Sequence, residues 1–275
     1  MDNKAAAFFR KIHTFGQSLF TDPLTAKKAF VLCLYVEGVW AASLFLLTRL
    51  HISFRLLSDI AYLVTVLVIA RGMGKDELRR IFAWRNVPLP VFAGILIMFY
   101  GMDILRLELS NLLQIALPVP EGFFNDSIFR SNNVFLIIVA GALFPGFSEE
   151  VFFRGIITRR FFRSCSPKKA ILLSAALFGI FHFNPWQMTN AFLGGIFYGW
   201  IYWRYRSIWL TIFTHTYHNI LVSFMPRPYV RVENYSGYQL LWRHPLWFDI
   251  MGLALFAFGL LTLIVLSRKT DAKGG

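Results

Sequence analysis

Eight apolar runs, each long enough to cross a bilayer, restrict the fold of this chain more than any other feature. Inside a bilayer the backbone must pair its own polar groups, so runs of this length favour α-helices. The chain is 56% hydrophobic with a mean hydropathy of +0.54, which is typical of a polytopic membrane protein. The sequence therefore predicts an all-α fold with about eight transmembrane helices, at residues 29–48, 53–70, 87–105, 133–158, 169–184, 187–203, 207–224 and 247–267.

These runs form one predicted transmembrane domain, residues 29–267, whose motif-bearing core is 133–224. Residues 1–28 place apolar side chains at helical spacing beside basic ones, which predicts an amphipathic cytoplasmic segment on the membrane surface. Residues 268–275 are expected to be a cytoplasmic tail. The N-terminus lacks the pattern of a cleavable signal peptide, so the first spanning helix is expected to act as an uncleaved signal.

The basic residues are distributed unevenly between the two ends of the predicted helices. Twenty of the 28 Lys and Arg residues fall on one side, whereas seven, including Arg106, fall on the other. The positive-inside rule then places both termini in the cytoplasm, and it explains the net charge of +13 without a nucleic-acid partner. Two longer loops, 106–132 and 225–246, are expected outside. With no organelle signal in the sequence, we expect a multi-pass protein of a prokaryotic plasma membrane.

One predicted helix carries two adjacent carboxylates and an arginine, Glu149, Glu150 and Arg154, within an apolar run. Ionisable groups in a membrane segment are costly and therefore indicate a functional site. Glu150 and Arg154 are four residues apart on one helical face, so they are expected to pair and to support the site or to lock two helices together. Glu149 points elsewhere and has no sequence-local cation, which suits a general base. Just upstream, Pro145-Gly146 is expected to kink or break the helix.

Three further polar groups lie in apolar runs that follow. His182 ends the fifth run, and His215 and Asn219 are four residues apart on one face of the seventh, with His218 between them. Counting from the cytoplasmic helix ends puts Glu149, His182 and His215 at similar depths, so we expect them to converge. In the sixth run, Gly195 and Gly199 form a GxxxG face that permits close helix packing.

Three chemistries are compatible with this set. In the first, Glu149 activates water with help from His182, while His215 and Asn219 donate hydrogen bonds to the oxyanion of a cleaved peptide bond. In the second, Glu149, His182 and His215 bind zinc and leave one position open, as in a metalloprotease. In the third, the set is a proton or ion path of a transporter, or is retained in a membrane scaffold.

These residues resemble the CPBP family, which groups CAAX prenyl proteases with bacteriocin-processing enzymes. The motifs are Glu149-Glu150 with Arg154, Phe178 with His182, and His215 with Asn219, in this order on successive helices. The resemblance implies a glutamic intramembrane endopeptidase with no obligatory cofactor, in which Glu149 and His182 activate water and His215 and Asn219 form the oxyanion site. Glu150 and Arg154 would then be supporting residues.

The expected partners are the lipid bilayer and a membrane-anchored protein or peptide substrate. The resemblance leaves the substrate open among prenylated tails, bacterial peptides and C-terminal sorting tails.

Overall fold

The computed structural model describes residues 23–49, 55–118, 133–224, 230–233, 240–243 and 245–271. Nine helices account for most of these residues, and each of the eight apolar runs falls on one of them. The helices are α1 (Ala26–Arg49), α2 (Arg55–Gly72), α3 (Lys75–Ile81), α4 (Leu89–Ala116), α5 (Val134–Ser164), α6 (Pro167–Ile180), α7 (Pro185–Tyr205), α8 (Ile208–Phe224) and α9 (Leu246–Asp271). Residues 1–22, most of the predicted amphipathic segment, lie outside the described ranges.

Four of these helices are long and apolar enough to cross a membrane. They correspond to Ala26–Arg49, Leu89–Gln114, Val134–Ser164 and Leu246–Ser267. A multi-helix membrane protein is therefore supported. The helices α2, α6, α7 and α8 stand where the sequence predicts them, but their crossing of a bilayer stays a prediction.

Two features of the fold differ from the sequence prediction, a hairpin in an outer loop and the end of α4. A short antiparallel hairpin, β1 (Val230–Glu233) and β2 (Leu240–Arg243), lies in the predicted outer loop 225–246, whereas the bundle itself is helical, as the predicted all-α class requires. The helix α4 continues to Ala116 instead of ending near residue 105, because Leu109, Leu112, Leu113 and Ala116 keep the helical spacing of apolar residues beyond that point. Arg106 is therefore part of a helix and not of an outer loop.

The helix α5 is the central element of the bundle. Every residue from Val151 to Thr158 is buried, so neighbouring helices surround this stretch. Of the predicted kink or break at Pro145-Gly146, the break is wrong, because the chain stays helical from Val134 to Ser164, and the kink stays a prediction. Two π-helical segments, Ile137–Leu143 and Val151–Thr158, replace the break. A π-turn bonds residues five apart, and such wider turns occur frequently at functional sites.

Gly146 sets the distance between α5 and α8. A Cβ atom added at Gly146 would lie 2.3 Å from Oγ1 of Thr216 and 3.0 Å from its backbone nitrogen. Only glycine permits this approach, which brings the Glu149-Glu150 turn beside His215.

The tight hairpin predicted for the fifth and sixth runs is present as α6 and α7. Its turn ends at Asn184, whose Oδ1 accepts a hydrogen bond of 2.8 Å from the backbone N–H of Gln187 and caps α7. A Cβ atom at Gly195 would lie 3.0 Å from Cα of Ala175, and one at Gly199 would lie 3.1 Å from Ile171. The GxxxG face thus packs on α6, as the sequence predicts.

Candidate active site

All four predicted catalytic residues line one cavity of about 290 Å³. Glu149 comes from α5, whereas His215 and Asn219 come from α8. His182 lies in the turn just after α6 and not inside the helix, because α6 ends at Ile180. The convergence that the sequence predicts is therefore observed, and the roles of these residues stay predictions.

Glu149 faces the cavity with a carboxylate that holds no hydrogen bond from any part of the chain that the structure describes. Its side chain is 26% exposed, and Oε2 lies 3.9 Å from Nε2 of His215. This group is accessible and close to a histidine, as a general base would have to be.

Glu150 behaves differently from its neighbour, because it is fully buried and bonded. Its Oε1 lies 2.9 Å from Nη1 of Arg154, which forms the ion pair predicted from the sequence. Arg154 is also fully buried, and its Nη2 donates to the carbonyl oxygen of Gly195 at 3.1 Å. The guanidinium lies over the rings of Phe178 and Tyr198, 4.7 and 5.0 Å from their centroids.

The imidazole of His215 is held by Glu150 and Tyr198. Nδ1 lies 2.9 Å from Oε1 of Glu150, and because an ionised carboxylate only accepts hydrogen bonds, Nδ1 carries the hydrogen. The ring stacks on Tyr198 with centroids 4.7 Å apart. Nε2 is thereby directed to the side of Glu149. Sequence reasoning missed both the Glu150–His215 contact and Tyr198.

The tautomer of His182 is fixed in the same way. Nδ1 lies 2.7 Å from the carbonyl oxygen of Phe178, which can only accept, so Nδ1 is the donor. Nε2 is left with a lone pair that can accept a hydrogen bond from water. Asn219, one helical turn beyond His215, has no side-chain hydrogen bond within the described ranges, so its amide remains available to a ligand in the cavity.

A second polar group on the cavity wall consists of Asp103, Arg106 and His218. Oδ1 of Asp103 lies 2.7 Å from Nδ1 of His218 and 3.1 Å from Nη1 of Arg106. The same Nη1 lies 2.7 Å from Nε2 of His218. Arg106, which the sequence analysis placed in an outer loop, is therefore on the cavity wall. Asp103, a lone acid in an apolar run, was the signal that could have revealed this group.

A smaller cavity of about 190 Å³ lies on the other side of Glu149. Four residues line both cavities: Pro145, Glu149, Phe178 and His182. The smaller cavity is also lined by two acidic residues, Glu37 from α1 and Asp59 from α2. Glu37, a single acid in the first apolar run, could have been noticed in the sequence.

No three His, Cys, Asp or Glu side chains form a metal-binding cluster within the ranges that the structure describes. The three candidate zinc ligands, Glu149, His182 and His215, line the cavity without meeting that geometry. Whether the protein requires a metal stays a prediction.

The sequence model of one protein family, described as type II CAAX prenyl endopeptidase Rce1-like, matches residues 131–221. The matched segment contains α5, α6, α7 and most of α8, together with all four candidate catalytic residues. The match confirms the resemblance to the CAAX protease family and supports a membrane endopeptidase of this kind. No match to the chain was found among curated proteins.

Proposed function

We propose that this chain, which carries an Rce1-like segment, is an intramembrane endopeptidase that hydrolyses a peptide bond of a membrane-anchored protein or peptide. One observation carries the proposal: Glu149, His182, His215 and Asn219 line a single cavity in an apolar helical bundle. A carboxylate that accepts no hydrogen bond from the described residues, a histidine with a lone pair on Nε2 and two potential donors are the groups that hydrolysis of an amide requires.

In the proposed reaction a water molecule lies between Glu149 and His182. Nε2 of His182 accepts one hydrogen bond from this water and orients it. Glu149 takes a proton as the water oxygen attacks the carbonyl carbon of the scissile bond. The protonated Glu149 then gives that proton to the leaving amine as the carbon–nitrogen bond breaks, so the carboxylate is regenerated.

His215 and Asn219 stabilise the oxyanion formed by this attack. Because Nδ1 of His215 is engaged by Glu150, the imidazole donates from Nε2 only when both ring nitrogens carry hydrogen. In that state the charges of Glu149, Glu150, Arg154 and His215 sum to zero. The amide of Asn219 adds the second donor, and one such donor is typically worth about 10²–10³-fold in turnover.

The test uses purified protein in lipid nanodiscs with a panel of membrane-anchored peptides. The panel contains prenylated CAAX-type tails, the same tails without the prenyl group, and C-terminal sorting tails. We expect the wild type to cleave at least one class and Glu149→Gln to cleave none. Asp76→Asn is the matched control, since Asp76 is 83% exposed on α3. Cleavage by Glu149→Gln at the wild-type rate would refute the proposal.

Metal dependence separates the proposed chemistry from the zinc alternative. We expect active protein to contain no stoichiometric zinc and to keep its turnover after treatment with a chelator. One zinc per chain, with activity lost to the chelator and restored by zinc, would instead overturn the glutamate-base mechanism in favour of the zinc alternative.

We further propose that the chain is a multi-pass protein of a prokaryotic plasma membrane with both termini cytoplasmic. Two contacts support the predicted sides: Arg163, at the end of α5, binds Glu77 of α3 at 2.6 Å, and Arg204 of α7 donates to the carbonyl of Ser267. Reporter fusions at Lys4 and Lys273 should both read cytoplasmic. Opposite readings would mean that one helix does not span the membrane.

A further inference from the structure

We propose that the smaller cavity is a specificity subsite for a basic side chain, that of a lysine or arginine next to the scissile bond. The inference rests on the proposed peptidase function and names a class of substrate for it. The cavity has a volume of about 190 Å³, while a single water needs about 10–15 Å³ of such space, so one long side chain can enter.

The charges on the wall of this cavity favour a cation. Three carboxylates line it, those of Glu37, Asp59 and Glu149, and no Lys or Arg among the described residues lines it with them. Oδ1 of Asp59 accepts a hydrogen bond of 3.1 Å from Nε1 of Trp40. Glu37 has neither a hydrogen bond nor an ion pair within the described ranges. A carboxylate held in an apolar bundle without a partner, as Glu37 is within those ranges, is costly, and a cation beside it would remove that cost.

The remaining wall is aromatic, which suits the same ligand. Ammonium and guanidinium groups bind over aromatic faces, with the strongest effect where water is excluded. Tyr62 is a second, independent indication that a ligand occupies this cavity. Its side chain is only 7% exposed, and its buried hydroxyl has no hydrogen-bond partner in the described part of the chain. The aromatic residues of the wall are Trp40, Tyr62, Phe153, Phe178, Phe181 and Phe183.

The position of the cavity ties its occupant to the reaction. Glu149 and His182, which hold the attacking water in the proposed mechanism, separate the two cavities and line both. A group in the smaller cavity therefore lies one side chain away from the reacting carbonyl. The larger cavity is less suited to a cation, because Arg106 already lines it.

The first experiment measures cleavage of peptides that differ in one residue beside the mapped cleavage site: lysine, norleucine or glutamate. For the wild type we expect kcat/KM to be at least about tenfold higher with lysine than with norleucine, which corresponds to about 1.4 kcal/mol. In Glu37→Gln the lysine-to-norleucine ratio should fall several-fold, and in Glu37→Gln with Asp59→Asn it should approach one. Asp76→Asn should keep the wild-type ratio. A wild-type ratio near one at both flanking positions overturns the proposal.

A second experiment does not depend on proteolysis. n-Butylammonium chloride, a mimic of the lysine side chain, is compared with n-butanol for its effect on the melting temperature in detergent. We expect butylammonium to raise the melting temperature of the wild type more than butanol does, and this difference to shrink in Glu37→Gln. This single variant keeps the Trp40–Asp59 bond and so guards against loss of the fold.

The two experiments distinguish the failure of this inference from the failure of the proposed function. If butylammonium stabilises the wild type selectively but no peptide is cleaved, the cation subsite stands and the peptidase proposal fails. If peptides are cleaved without any preference for lysine, the peptidase proposal stands and the substrate subsite is refuted. This holds even where butylammonium binds, since the cavity would then take its cation from another source, such as a lipid amine.

Discussion

Oε1 of Glu150 lies 2.9 Å from Nδ1 of His215, across the interface between α5 and α8. The same oxygen lies 2.9 Å from Nη1 of Arg154, so one buried carboxylate oxygen bonds a cation on its own helix and a candidate catalytic imidazole on another. The two neighbouring glutamates therefore differ in position and in proposed role. Glu149 faces the cavity and is proposed to react, whereas Glu150 positions His215.

Glu149→Gln should abolish cleavage while the protein stays folded. Glutamine has nearly the same shape but cannot take a proton from water, and general-base assistance is typically worth about 10²–10⁴-fold in rate. Turnover per folded molecule, with folding checked by the melting temperature in detergent, measures this. A loss of folding that accounts for the lost activity would contradict the assignment.

Glu150→Gln should lower stability and turnover together. Removing one partner of a buried ion pair leaves Arg154 uncompensated, which typically costs about 3–5 kcal/mol. The double variant Glu150→Gln with Arg154→Gln should recover part of the melting temperature but not the turnover, because a neutral amide holds His215 less strongly than a carboxylate. Full recovery of turnover in the double variant would show that Glu150 serves only to neutralise Arg154.

Gly146→Ala should move α5 away from α8. Its Cβ would meet Oγ1 and the backbone nitrogen of Thr216, and such overpacking typically costs about 1–3 kcal/mol. Turnover should fall by about 10²-fold, the typical effect of a 1 Å misplacement of catalytic groups. Gly38→Ala in α1 is the matched control, because no atom lies within 4 Å of its added Cβ, and it should be neutral or mildly stabilising.

Glu77 should make the stability of the protein depend on pH in the acidic range. Burial opposes its ionisation, but hydrogen bonds and charge from Arg163 and Arg159 outweigh that effect and hold the pKa of this carboxyl below its ordinary value of 4.5. A carboxyl with a lowered pKa in the folded state contributes stability above its ordinary pKa and loses it as the pH falls through the lower folded value.

The measurement is the melting temperature between pH 7 and pH 3 for the wild type, Glu77→Gln and Asp76→Asn. We expect Glu77→Gln to melt lower than the wild type at pH 7 and the difference to narrow as the pH falls from about 4.5, where the carboxyl of the unfolded chain becomes protonated, through the lower pKa of the folded state. Asp76→Asn should follow the wild type throughout, since the side chain of Asp76 is 83% exposed and that of Glu77 is 16% exposed. If the melting temperatures of the wild type and Glu77→Gln changed with pH in parallel, ionisation of Glu77 would not contribute to the pH dependence of stability.

Local sequence patterns were enough to locate the helices and most residues of the candidate site. Apolar runs of spanning length, the basic side of the chain and the spacing of Glu150 and Arg154 are local patterns, and each follows from helical periodicity. Glu149, His182, His215 and Asn219 were identifiable because polar groups are costly in apolar helices. The family resemblance rested on the same residues.

How those groups face one another depends on the packing of the helices. Periodicity could not reveal that Glu150 reaches His215, that Arg106 belongs to a helix on the cavity wall, or that Pro145 is followed by continuous helix rather than a break. Nor could it show that Glu37 and Asp59, far from the motifs in sequence, share a cavity with Glu149. Such contacts depend on which helices pack together and at what distance, and close approaches such as that of Gly146 to Thr216 set that distance in three dimensions.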